Sequence, residues 1–183
     1  MKVIYNTATT LTGYIADENN SLNWLFEVDS TVLPDHNAFL ENIGVLVSGS
    51  TTYEWVLNEE NLMNNPDKWP EYYGKRPMFV FTSRELQIPQ GADVQLISGD
   101  PKDYFKEISE AANGKDIWLI GGGDLAGQFF DAGLLDEIHL SMAPVTLKGG
   151  APVLPRSISS KSLSLRSVEK YGQFAHLIYD VKK

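Results

Sequence analysis

Five short apolar runs, at residues 3–5, 45–47, 78–81, 94–97 and 117–120, constrain this chain more than any other feature. Most are unbroken by a polar residue, as expected of strands buried on both faces; a strand with one wet face alternates. Segments of helical spacing lie between them, at 37–41, 102–113 and 125–135. The second carries Tyr104, Phe105, Ile108 and Ala112 on one stripe and opens with Asp100-Pro101, a cap and first turn. The third carries Phe129, Phe130, Leu134 and Leu135. This β-α-β-α-β alternation predicts an α/β fold with parallel strands joined by right-handed crossovers.

The carboxyl-terminal part breaks the alternation. Residues 138–142 form a strand pattern, and 163–170 and 174–182 read as a hairpin turning at Tyr171-Gly172-Gln173. The sheet is therefore expected to end antiparallel. The segment 57–76, which holds Pro66, Trp69, Pro70, Tyr72 and Tyr73, lacks clear periodicity and reads as functional or partly helical. No internal repeat appears, and 183 residues suit a single domain spanning 1–183.

Composition removes several function classes. The chain has no cysteine, which excludes disulfides, thiolate nucleophiles, thiolate zinc sites and cysteine-ligated iron–sulfur clusters. His36, His139 and His176 are the only histidines, and no two stand at metal-ligand spacing, so no metal site is expected. A net charge of −9 and a pI near 4.7 argue against a nucleic-acid partner. No stretch approaches the ~20 apolar residues of a membrane span. The opening residues lack a signal-like apolar run, so a cytoplasmic protein is the expectation.

Four segments could carry chemistry. In the first, the run Ile117-Trp118-Leu119-Ile120 leads into Gly121-Gly122-Gly123 and then a helix. Glycines let backbone approach a ligand, and a helix N-terminus offers free N–H groups to an anion such as a pyrophosphate. A tight strand–helix turn is the structural alternative, and Asp124 reads as its N-cap rather than as a ligand group. In the second, Ser48-Gly49-Ser50-Thr51-Thr52-Tyr53-Glu54 follows another strand. It is either a capping box of Thr51 and Glu54 or a second phosphate contact through Thr52. In the third, Thr82-Ser83-Arg84 is either a 2′-phosphate site or a solvated turn. In the fourth, Lys148 stands beside Gly149 and Gly150 in a loop that could meet a substrate phosphate. Acid–base candidates are few. Asp35 stands at the start of the first helix, where it serves either a ligand or the helix dipole. His139 and His176 read as structural or surface residues.

Taken in order, these motifs resemble the dihydrofolate reductase superfamily. The opening Thr10-Leu11-Thr12-Gly13-Tyr14-Ile15-Ala16 with Asn23-Trp24-Leu25, the Gly49-to-Glu54 helix start, Phe81-Thr82-Ser83-Arg84, and Ile120-Gly121-Gly122-Gly123 with Phe129 fall in that family's sequence. Phe130-Asp131-Ala132-Gly133-Leu134-Leu135-Asp136-Glu137 and Ala143-Pro144 with Lys148-Gly149-Gly150-Ala151-Pro152 are similar to one branch. That branch is the reductase domain of the riboflavin-biosynthesis deaminase–reductases and its stand-alone relatives. The resemblance implies a central, mostly parallel sheet flanked by helices with an antiparallel C-terminal hairpin. It implies hydride transfer from NADPH to a small molecule, a pterin or a phosphate-tailed ribosylaminopyrimidine, and a homodimer.

Carried over by position, the cofactor would meet Gly49, Ser50, Thr51 and Thr52, with Thr82, Ser83 and Arg84 near its adenosine ribose. Gly121, Gly122 and Gly123, with Asp124 and Leu125, would cradle its pyrophosphate, and a cis peptide is implied between the first two glycines. Trp24 and Asp35 would border the substrate, with Lys148 as a further candidate contact, and the proton would come from Asp35 through water or from the substrate itself. Ser50 stands where relatives often carry a 2′-phosphate-binding arginine, a role left to Lys75, Arg76 or Arg84. A non-catalytic dimeric nucleotide-binding module of the same fold is the rival reading.

Overall fold

A computed structural model describes residues 1–32 and 34–183. Ten strands form along the chain: β1 (Val3–Thr10), β2 (Tyr14–Ala16), β3 (Ile43–Gly49), β4 (Met78–Phe81), β5 (Val94–Ile97), β6 (Asp116–Gly121), β7 (Glu137–Ala143), β8 (Ala151–Pro152), β9 (Leu163–Tyr171) and β10 (Phe174–Val181). Six helices intervene: α1 (Asn23–Phe26), α2 (His36–Glu41), α3 (Ser50–Glu59), α4 (Trp69–Tyr73), α5 (Pro101–Ala111) and α6 (Gly123–Asp131). Eight strands make one sheet in the order β5-β4-β3-β6-β1-β7-β10-β9, and β2 pairs with β8 apart from it. Pairing is parallel from β5 through β7 and antiparallel at β7–β10 and β10–β9. Among the described residues no helix is long and apolar enough to cross a membrane.

Helices cover the parallel part of the sheet on both sides. Val3, Tyr5, Val45, Val47, Ile117 and Leu119 face α5 and α6, which return Ile108, Leu125, Ala126 and Phe129. Ile43, Leu46, Met78 and Val80 face Tyr53 and Leu57 of α3 and Trp69 and Tyr73 of α4. The segment 57–76 is thus largely structured: a 3-10 turn at Pro66–Lys68 and α4 close the second core, since aromatics can fill a core without helical periodicity. Where Gly44 begins β3, the end of α5 approaches so closely that a Cβ would stand 2.1 Å from the Ala112 carbonyl oxygen.

Several sequence expectations shift at the element ends. The third helix stops at Asp131, and Gly133, at φ +71°, turns the chain so that Leu135 enters the core from outside the helix. The stretch around Lys148 ends in β8, a short strand that the Gly/Pro composition masks. In β6 the apolar run is buried only alternately, because Trp118 and Ile120, besides packing against the second core, also line cavities.

The uncovered half of the sheet depends on one carboxylate. Glu137, 4% exposed, accepts hydrogen bonds from Lys2 Nζ at 2.5 Å and His139 Nε2 at 2.8 Å, and pairs with Arg166 Nη2 at 2.5 Å. It so ties β1 and its leading residue to β7 and β9. Burial alone would raise its pKa, but the bonds from Arg166, Lys2 and His139 outweigh that and hold it at about 2.

Two outcomes are expected. Gly44→Ala should cost about 1–3 kcal/mol, read as a lower Tm, because its methyl meets backbone that cannot move away. Glu137→Gln should be clearly less stable than wild type at neutral pH. A group with a depressed folded-state pKa stabilises above its unfolded value, so the difference should be full above the ordinary 4.5 and shrink as pH falls toward 2. Urea titrations across that range check the sign.

Candidate active site

Adjacent strands β4, β3 and β6 end level with one another, since Gly49 pairs with Phe81 and Ser48 with Gly121. This carboxyl edge is where open α/β sheets bind ligands. Gly121 holds φ +152°, a conformation for glycine, and a Cβ on it would stand 3.1 Å from Thr52 Oγ1. The Gly121–Gly122 peptide is cis, as the resemblance implied. Gly122 is the N-cap of α6, and a Cβ on Gly123 would stand 2.3 Å from the Pro152 oxygen and 2.4 Å from that of Val153. The glycines thus allow two close approaches, backbone to Thr52 and helix to the β8 loop, and leave open space over Gly122.

That space is a cavity of about 370 Å³ lined by Thr51, Thr52, Ile120, Gly122 and Gly123, with Ile15 beside Gly122, and by Thr7, Ala8 and Trp24. Free N–H groups at the start of α6, the Thr52 hydroxyl and the absence of side chain at Gly122 suit a dinucleotide's pyrophosphate. Trp24 lines the cavity and is 6% exposed; its indole N–H has no partner and is sealed from solvent.

The charged candidates around this cradle are already engaged. Asp124 does not cap α6; its carboxylate accepts from Gln128 Nε2 at 2.9 Å and Arg156 Nη1 at 3.0 Å. Those bonds, Gln128 first, lower its pKa. Arg156, which sequence reasoning missed, lies against α6 because Gly127 leaves room: a Cβ there would stand 2.6 Å from its guanidinium carbon. The capping box of Thr51 and Glu54 does not form either. Gly49 is the N-cap of α3, no side chain caps it, and Glu54 instead receives Arg84 through both carboxylate oxygens, at 3.1 and 2.5 Å. Thr82 Oγ1 accepts the Arg84 N–H at 3.0 Å, and Ser83 is exposed.

Lys75 and Arg76 lie at the opposite end of the sheet, before β4 begins. Arg76 spends its guanidinium on the carbonyls of Leu40, Ile43 and Tyr73. Neither can take over from Ser50. Leu125 turns its side chain into the core. Lys148 is exposed and lines neither cavity of the cleft, because Leu147 beside it is pinned to Thr12 at 2.9 Å.

A second cavity, of about 570 Å³, adjoins the first through Thr7, Ala8 and Leu25. Asp35 lines it, although as the exposed N-cap of α2 it also accepts the Ala38 N–H at 3.0 Å. The unforeseen feature is that His36, His139 and His176 all line this cavity, walled by Phe39, Trp118 and Phe174. Register explains it: Asn6 pairs with His139, and Ser141 with His176, so these side chains share one sheet face. The available signal was the period-two spacing of Glu137, His139 and Ser141, which needs the strand order to be useful.

Comparison with known proteins agrees with this architecture. Residues 1–177 match the RibD C-terminal domain family. A Shewanella sp. PV-4 protein assigned to riboflavin biosynthesis is 28% identical, with a TM-score of 0.81 and full coverage of both chains. The Thermotoga maritima diaminohydroxyphosphoribosylaminopyrimidine deaminase/5-amino-6-(5-phosphoribosylamino)uracil reductase is 16% identical, with a TM-score of 0.67 over 99% of this chain and 56% of its own. Dihydrofolate reductase from Enterococcus faecalis, in complex with NADP(H) and RAB-propyl, shares the fold at 16% identity and a TM-score of 0.60, over 100% of this chain and 97% of its own. With its glycine cradle and parallel sheet closed by an antiparallel hairpin, the chain shares the fold of dihydrofolate reductase and belongs to the RibD C-terminal domain family.

Proposed function

We propose that this protein is a nicotinamide-dinucleotide-dependent reductase of a small heterocyclic substrate, with NADPH as its cofactor. The observation that carries the reading is the cradle: Gly122 opens a helix N-terminus directly onto a cavity, with Thr52 on its other side. Bound there, the cofactor would supply a hydride to an electrophilic carbon. The protein's part is position. Thr52 and the α6 N–H groups hold the pyrophosphate, Ile15 and Ile120 exclude water, and Thr7 and Ala8 mark the junction of the two cavities where the rings would meet. Trp24 packs its ring against the bound molecule. Asp35, the only carboxylate lining the larger cavity among the described residues, carries the proton to the reduced group through water.

At the adenosine end, Arg84 is the cation that would reach a 2′-phosphate, in competition with Glu54. A homodimer is proposed through the edge strand β9, where Leu165 and Val168 are 53% and 59% exposed.

Three measurements test this. Gly122→Val should fold, since a Cβ there meets nothing closer than 3.8 Å, yet fill the cradle and weaken NADPH by about tenfold or more. Unchanged affinity in tryptophan-fluorescence titrations would refute the placement. Glu54→Gln should release Arg84 and raise the preference for NADPH over NADH by about threefold or more. Leu165→Glu combined with Val168→Glu should shift a dimer to monomer in sedimentation, and an unaltered mass would remove this interface.

A further inference from the structure

The larger cavity is rich in hydrogen-bond acceptors and holds no cation. Among the described residues, no Lys or Arg lines it or its neighbour. The nearest cations on the same sheet face are committed: Lys2 and Arg166 to Glu137, and Arg166 also to Asp180. Arg76, near α2, is held by three backbone carbonyls. A phosphate placed here would have no charged partner.

What the cavity does hold is an oriented imidazole. Glu137 is ionised, hence purely an acceptor, so the His139 Nε2 it touches at 2.8 Å must carry hydrogen. Among the described residues the other ring nitrogen, Nδ1, makes no hydrogen bond and is not one of the sealed unpartnered polar atoms, so it opens onto the cavity that His139 lines. Burial, ahead of the raising effect of Glu137, lowers the His139 pKa, which leaves Nδ1 a lone-pair acceptor at neutral pH. Nearby, His176 uses Nδ1 against Ser141 Oγ at 3.1 Å. Asp35 and His36 add further acceptors from α2. The Phe39 and Trp118 rings, T-shaped at 5.4 Å, give flat apolar walls.

We propose that this half of the cleft binds an unphosphorylated, amino-substituted pyrimidine-type ring, whose N–H donors are read by His139 held in place by Glu137. The inference rests on the reductase reading and narrows its substrate. A phosphate-tailed ribosylaminopyrimidine is disfavoured because its phosphate would meet acceptors and aromatic walls. His139 is the anchoring residue of the ring, and Glu137 is a positioning residue acting through it.

Affinity should depend on pH in a defined direction. Protonation converts Nδ1 from acceptor to donor, so binding weakens as pH falls through an imidazole value below the ordinary 6.5. The groups around His139 are Glu137 on its own strand, Lys2 beside β1, His176 and Asp180 on β10, Arg166 and Glu169 on β9, and Asp35 and His36 on α2. If Asp35 rather than His139 were the anchor, a ring binding in its protonated form would bind more tightly on acidification.

The test is calorimetric titration of the full chain with 5,6-diaminouracil and with ribose 5-phosphate, each with and without saturating NADPH. 5,6-Diaminouracil is expected to bind, ribose 5-phosphate neither to bind nor to compete, and His139→Leu to weaken the ring by about tenfold or more. Asp35→Asn, which keeps a competent N-cap, should retain the weakening of binding on acidification. Competition by ribose 5-phosphate, unchanged affinity in His139→Leu, tighter binding at lower pH or no binding of 5,6-diaminouracil would each overturn the inference. NADPH affinity on the same sample separates the two claims. If NADPH binds and the ring does not, only this inference falls; if NADPH fails to bind, the reductase reading falls with it.

Discussion

Strand β6 sits between β3 and β1 and serves two environments at once. Ile117 and Leu119 point into the core against α5 and α6, and Trp118 and Ile120 point into the cleft. Its last residue, Gly121, then turns the chain into the start of α6. The pairing of β6 with β1 stops at Leu119, whereas β3 follows it to the end through Ser48 opposite Gly121. The cradle is thus anchored to the sheet on the β3 side. Side chains that hold a ligand in position are best supported by elements of this kind rather than by loops.

This dual role also shows what sequence can convey. The run Ile117-Trp118-Leu119-Ile120 predicts a strand buried on both faces, and apolar contact does exist on both faces. On one face, however, the partner includes a cavity, and under the proposed function it receives a ring, which demands residues similar to those a helix does. The strand–glycine–helix unit and the closing hairpin were legible because the residues that define them are neighbours in sequence. The histidine cavity was not. Its members come from α2, β7 and β10 and meet only through the order β1-β7-β10, which local patterns do not encode.

Charged residues were misread for a related reason. Sequence shows that Asp124, Glu54, Arg84 and Arg76 are near interesting glycines or strand ends, but not which partner each has. Asp124 and Glu54 looked like helix-capping groups and are arginine acceptors instead. Arg76 looked like a substitute phosphate ligand and is a brace for three carbonyls at the far end of the sheet. A cation's chemistry in a fold is set by what it already touches, because a committed guanidinium must lose those bonds before it gains a ligand.

The same accounting gives the cleft its polarity. The protein carries −9 overall, and each cation discussed above beside the cleft is paired with a carboxylate, so anion recognition falls to backbone N–H groups and the Thr52 hydroxyl. Such donors have fixed directions and short range. On the proposed function they hold a pyrophosphate where the helix N-terminus opens, and offer nothing to a phosphate elsewhere in the cleft. Beyond Thr7 and Ala8 the available groups change to imidazoles, a carboxylate and aromatic faces. On the proposed reading, one end of the cleft receives an anion and the other a flat donor. This division follows from two local facts: a helix that begins at Gly122, and a buried carboxylate at Glu137 that takes up the cations and orients His139.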